Sequence, residues 1–234
     1  MLSLRPFPMT SQDGVHHAIV RFLAPLILVF SSLGLQGVHA SSMVTHHHDP
    51  DAEPQAAYEL AWRVLETGDH AGLPFVIVHK RAGLALVYHG DGRLAGASRV
   101  LLGLTVGDLA TAGVGERTSK GTLRRADLTT PAGRFESEPG RNLRGEPVVW
   151  IDYESALAIH RLRPGASRTQ RALQLASSKV GNKRASAGCV VVPENFYDHV
   201  IGPVLGRGRG IVYVMPEQSS WRDKWSGLGL SAAR

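Results

Sequence analysis

Cysteine is almost missing from this 234-residue chain: Cys189 stands alone. A single cysteine can form no disulfide within its own chain, so a stapled small scaffold is excluded and Cys189 is a free thiol, either inert and buried or reactive. A long unbroken apolar segment is lacking too. The run Phe22–Phe30 is short for a membrane span and is broken by Pro25, with Gln36 close behind. Internal repeats are absent, which sets aside solenoids and propellers. Acidic residues are missing from a whole segment, with no Asp or Glu between Ser155 and Pro193.

What is present first is an export signal. Arg21 precedes the apolar run, and Val38-His39-Ala40 supplies the small residue expected before a secretory cleavage site. Residues 1–40 are therefore expected to be a signal peptide, with an uncleaved membrane anchor as the alternative. A membrane contact is expected only in that second case. Residues 41–72 follow as a polar segment with His46-His47-His48 and then a helix, residues 73–217 as the working domain, and residues 218–234 as a tail. Three adjacent histidines cannot all point at one ion in a regular element, so no metal is expected there and no cofactor elsewhere. The formal charge is +6, and loss of Arg5, Arg21 and Asp13 with the leader leaves +5. A basic exported protein suits acidic partners, and export to the periplasm or cell envelope argues against nucleic acid. No obligate protein partner is evident.

Ala57, Leu60, Ala61, Val64 and Leu65 recur at helical spacing within 51–67 and stop at Gly68-Asp69. From Pro74 the pattern changes to short β-prone runs: 75–79, 84–88, 100–106, 148–151, 157–159, 190–192 and 211–215. Helical patterns return at 169–180 and 194–204, and Trp221 and Trp225 are placed to dock the tail. The expected fold class is mainly β with peripheral helices.

Ser186-Ala187-Gly188-Cys189 runs directly into Val190-Val-Val192, so the thiol sits where a loop enters a strand. Gly188 lets the backbone approach closely or take positive φ, and amides on such a turn can converge on one oxygen, as an acyl-transfer site requires. A thiol of ordinary pKa also needs a base. Of the eight histidines after Ala40, His160 differs by ending a strand-like run, where a side chain projects toward loops.

In these features the chain resembles the L,D-transpeptidase family, whose hallmark is a His followed, after a variable stretch, by Ser-x-Gly-Cys. The matching residues are His160 and Ser186-Ala187-Gly188-Cys189, with Thr129-Thr-Pro-Ala-Gly-Arg-Phe135 resembling a Thr-Pro-x-Gly turn and Leu102-Gly103 and Gly107-Asp108 in weaker support. The similarity covers about Phe75 to Pro216. It implies a mixed, sandwich-like β domain, Cys189 as nucleophile, His160 as its base, and Ser186 and Gly188 at the oxyanion turn. It further implies peptidoglycan stem peptides as substrate, with crosslinking as the reaction. Water in place of the acceptor amine would make the same machinery a carboxypeptidase, and a protein lysine would make it an anchoring enzyme. A catalytically silent wall-binding module is the rival of another class. A papain-like protease fits poorly, because its Cys precedes its His.

Two departures stand out. The family often carries Arg or Asn two positions after the cysteine, where this chain has Val191, and His160 and Cys189 lie 29 residues apart, which implies an insertion. That insertion holds Arg161, Arg163, Arg168, Arg171, Lys179, Lys183 and Arg184. Arg161, Arg163 and Arg184 are candidates for meeting substrate carboxylates, on a positive rim or a merely solvated basic face. Asp152 and Glu154 lie near His160 in sequence but on alternate positions of a strand, and the family tends to orient its His with a backbone carbonyl.

Overall fold

The computed structural model describes residues 53–226. The expected signal peptide, His46-His47-His48 and the first part of segment 41–72 lie outside the described residues. Among the described residues no helix is long and apolar enough to cross a membrane.

The fold is mainly β, a large mixed sheet with few helices. Eight strands form that sheet: β1 (Phe75–His79), β2 (Leu84–Tyr88), β3 (Leu94–Arg99), β5 (Gly133–Arg141), β6 (Pro147–Asp152), β7 (Leu157–Arg161), β9 (Val190–Val192) and β10 (Gly210–Val214). Their order is β3-β2-β1-β10-β5-β6-β7-β9, with β1–β10 and β7–β9 parallel and the other pairs antiparallel. Two short strands, β4 (Leu102–Gly103) and β8 (Arg184–Ser186), pair separately. The sheet curls far enough for its two edges to meet, because Leu101, just beyond β3, exchanges amide–carbonyl bonds of 2.8 and 2.9 Å with Val191 on β9. Edge pairing removes the exposed ladder groups that would otherwise invite aggregation.

Strands β1 and β10 are apolar on consecutive residues because they are buried on both faces. Val76, Val78, Val212 and Val214 point inward to one core, shared with Val149, Ile151, Ile159, Val190 and Val192 from the far half of the sheet. Helix α4, residues 194–205 with a π-helical turn at Tyr197–Ile201, packs Tyr197, Ile201 and Leu205 into it. Phe75, Ile77, Ile211 and Tyr213 point the other way, against helix α1 (Gln55–Thr67) and the short α5 (Trp221–Lys224). Helix α1 starts directly after Pro54 and ends on Gly68 in the left-handed conformation, where the glycine carries no Cβ penalty. Trp221 and Trp225 are buried in this second core, so the tail docks as its aromatics suggested.

Three strand readings change. Residues 104–106 leave the sheet, with Leu104 and Val106 exposed, so the run 100–106 reduces to β4 and isolated bridges at Leu101 and Thr105. β3, Leu-Ala-Gly-Ala-Ser-Arg, and β5, rich in charge with Pro139 and Gly140, lacked a β-prone composition. Both gain strand form from their neighbours' ladders, the tertiary override that propensity misses. The helix expected over 169–180 is α3 (Arg168–Ala176), stopped where the Lys183 ammonium donates to the carbonyls of Gln174, Leu175 and Ser177 at 2.6, 3.1 and 2.7 Å.

Lys80, immediately after β1, is 1% exposed. Its ammonium donates to Gly107 O (2.6 Å), Asp108 Oδ1 (2.7 Å) and Thr130 O (2.9 Å), with Glu217 Oε1 at 3.4 Å. Burial lowers the lysine's pKa against the pull of both carboxylates. Burial works to raise the Asp108 carboxyl, yet the hydrogen bonds from Lys80 and from the Glu217 and Gln218 amides hold it below its ordinary value. Removing one member of such a cluster strands the others without water. Lys80→Met is expected to lower the unfolding free energy by about 3–5 kcal/mol, measured by urea denaturation; a loss below about 1 kcal/mol would remove Lys80 from this role.

Candidate active site

The turn carrying Cys189 is built from short polar clasps. Ser186 Oγ accepts the Gly188 amide at 3.1 Å and donates to Cys189 O at 2.6 Å, closing the loop on itself. Thr130, fully buried, donates to Gly188 O at 2.7 Å and accepts the Gly103 amide at 2.9 Å. Gly188 holds φ at +126°, and a Cβ there would stand 3.0 Å from Thr129 O, so only glycine fits. The Gly188 amide is engaged by Ser186, which makes Ser186 and Gly188 shapers of the turn. The backbone amides of Ala158 and of Cys189 itself act on the sulfur in the direction that favours its thiolate.

The parallel pairing of β7 with β9 sets His160 beside Val191 and Ile159 beside Val190. Ile159 and Val190 face the inner core. By alternation His160 and Val191 face the opposite side, and Cys189, two residues before Val191, continues that side. The imidazole and the thiol are thus diagonal neighbours on adjacent strands, with Cα atoms on the order of 8 Å apart. The thiol donates to Ala156 O at 3.6 Å, and no hydrogen bond joins it to His160 among the described residues.

His160 is 7% exposed. Its Nδ1 lies 2.8 Å from Arg161 O, and since a carbonyl only accepts, Nδ1 carries the proton and Nε2 is the basic nitrogen. Burial, assisted by the nearby charge of Arg163, pushes the imidazole down to about 4, against the smaller opposing pull of that carbonyl. Burial likewise pushes the Cys189 thiol up, partly countered by the Ala158 amide and by Arg163. The pair therefore rests as neutral imidazole and neutral thiol, which suits general-base removal of the proton during attack rather than a standing thiolate–imidazolium ion pair.

A small cavity of about 60 Å³ opens beside Cys189, walled by Thr111, Val114, Asp127, Pro131 and Ala156. Helix α2 (Val114–Lys120) leans on the β6–β7 turn so closely that a Cβ on Gly115 would collide with Glu154 O. Asp127 pins this wall: its carboxylate takes Arg117 at 2.6 and 2.7 Å, Arg124 at 3.2 Å and the Arg124 amide at 2.8 Å. The Arg117 and Arg124 bonds hold that carboxyl far below the usual range.

The basic insertion is mostly neutralised by acids from distant parts of the chain. Arg161 pairs with Asp198 at 3.0 Å and lies over the Tyr197 ring, Arg163 pairs with Glu146 at 3.1 Å, and Arg168 with Glu194 at 2.7 Å. Arg184 joins Glu217 and so belongs to the Lys80 cluster. Of the three candidate substrate arginines, Arg163 alone influences both His160 and Cys189. Asp152 accepts the Ser155 amide at 3.3 Å, and the carboxylate felt by His160 is that of Glu146. Thr130, Glu146 and Asp127 were not singled out by sequence; Thr130 alone had a signal, as the residue before Pro131 in the quoted turn.

His160 gives the folded protein a pH signature. Its unfolded value of 6.5 exceeds the folded value of about 4, so the unfolded state binds more protons between them and stability falls as pH drops through that window. The loss attributable to His160 is about 3 kcal/mol by pH 4. Denaturation of the wild type and His160→Gln across pH 7 to 4 is expected to show a shallower fall in the variant; parallel curves would contradict the burial of a neutral imidazole. Against family models and curated proteins, the sequence finds no match.

Proposed function

We propose that the chain is an exported, cysteine-dependent acyltransferase of the L,D-transpeptidase type, acting on peptidoglycan stem peptides in the periplasm or cell envelope without a cofactor. The observation that carries this is the placement of His160 and Cys189 on one face of adjacent parallel strands, beside a walled cavity and with backbone amides acting on the sulfur. The curled mixed sheet is compatible with the sandwich-like catalytic fold of that family. Arg163, beside both groups, is the arginine best placed to meet a substrate carboxylate.

In this mechanism the thiol swings from Ala156 O toward Nε2 of His160, which takes its proton as sulfur attacks the carbonyl joining the third stem residue to terminal D-alanine. The carbon–nitrogen bond breaks, His160 returns the proton to the departing amine, and a thioester remains on Cys189. The acceptor amine then attacks the thioester, losing its proton to His160 and regenerating the thiol. Amides at Ala158 and Cys189 supply the fixed dipoles for the developing oxyanion.

Hydrolysis by water is the alternative outcome of the same thioester, and a silent binding module is the alternative in which none forms. Incubating the protein with tetrapeptide muropeptides is expected to release D-alanine and to yield either stems linked through their third residues or trimmed tripeptides. Cys189→Ala is expected to abolish both, a drop of at least about a thousandfold. Full turnover by Cys189→Ala overturns the assignment, and binding without any product favours the silent module.

A further inference from the structure

The face of the sheet that bears His160 and Cys189 is covered over β1, β2 and β10 by helices α1 and α5, but over β5 and β6 it is open. There a groove of about 450 Å³ runs along Glu136, Glu138, Trp150, Asp152 and Tyr153. Its aromatic content is unusual for an exposed sheet face. The Trp150 ring lies against the backbone of Gly140, where a Cβ would stand 2.5 Å from the indole. Tyr153, 75% exposed, meets Trp150 edge-on at 5.0 Å and 76°. The half-buried Trp150 ring backs the exposed Tyr153 ring, which offers an apolar face to a ligand.

The charged groups of the groove left without an ion-pair partner among the described residues are carboxylates. Arg134 is tied to Asp69 at 2.7 Å, and Glu136 to Arg209. Glu138, opposite Trp150 across the β5–β6 ladder, has no side-chain partner among the described residues. Asp152 has one oxygen engaged, by the Ser155 amide at 3.3 Å. Carboxylates without an ion-pair partner beside an exposed ring suit a ligand that is neutral, rich in hydroxyl and amide donors, and faced with C–H groups. They repel an anionic polymer.

The groove and the candidate active site border the same hairpin. Asp152 and Tyr153, at the start of the β6–β7 turn, line the groove, while Ser155, Ala156 and Leu157, at its end, line the cavity beside Cys189. Trp150 is paired across the ladder with Ala158, the residue whose amide acts on the sulfur.

We propose that this groove binds the neutral amino-sugar strand that carries the stem peptide, so that glycan and peptide lie on the two sides of the β6–β7 turn. The identity of the strand rests on the proposed function; the groove's carbohydrate chemistry does not. The test titrates the full chain carrying Cys189→Ala with chitohexaose, a peptide-free oligomer of N-acetylglucosamine, by calorimetry. Saturable binding is expected, weakened about tenfold by Tyr153→Ala and retained by Tyr153→Phe. Tyr153 is exposed in a turn, so unfolding temperatures are expected to match and to separate loss of the ring from loss of fold. No binding, or binding indifferent to Tyr153→Ala, overturns the proposal. Thioester formation on a free stem peptide distinguishes the two ideas: a thioester without chitohexaose binding rejects the groove alone, and chitohexaose binding at Tyr153 without a thioester rejects the acyl-transfer chemistry while the groove stands.

Discussion

The buried ammonium of Lys80 is the point from which the Cys189 turn hangs. It ties the end of β1 to the 107–108 loop, to Thr130 O and to Glu217 in the segment after β10. Glu217 in turn holds Arg184 at the start of β8, and Thr130 holds the Gly188 carbonyl. Five stretches distant in sequence are therefore joined by donors and acceptors largely shielded from bulk water, where a missing partner costs most. A turn built this way is rigid for a reason independent of the strands beneath it. The thiol is preorganised through the backbone that carries it, since its own side chain makes one weak bond to Ala156 O.

Val191 and the long stretch between His160 and Cys189 form one structural feature. Val191 is buried in a small cluster with Leu101, Leu162 and Leu175, and Leu175 belongs to α3, inside the long stretch between His160 and Cys189. The inserted helix roofs the position two residues after the cysteine, and an apolar side chain is what such a roofed site accepts. Its basic residues have a matching explanation. Lys183 together with Arg99 satisfies the carbonyls at the C-terminus of α3, and Arg168 fastens its N-terminal end to Glu194. Positive charge in this insertion serves first to dock α3 onto the sheet.

Much of the mainly-β architecture was legible because β1, β2, β7, β9 and β10 are short apolar runs buried on both sides. β3 and β5 were not, since one is an edge and the other spends its outward positions on charge, and strand form there is imposed by neighbours. The Cys189 turn was legible from Ser186 and Gly188, whose roles in closing the loop and taking positive φ depend on local geometry. The partners that hold it were not: Lys80 read as a loop residue and Glu217 as the last residue before a tail, because a buried ionic cluster is a property of long-range proximity. The charged stretch 161–184 left two readings open for the same reason, as its counter-charges lie at Glu146, Glu194, Asp198 and Glu217.

The proposed function gives the neutral His160–Cys189 pair, held diagonally across β7 and β9, one chemical consequence above others: an acyl group passes through this sulfur. Intact mass after acid quench, on protein mixed with a stem tetrapeptide, tests it most directly. The account predicts a mass gain equal to the stem tripeptide acyl group, located at Cys189 and accumulating far more slowly in His160→Gln. An unmodified Cys189 during turnover, or an adduct formed equally fast without His160, would contradict it.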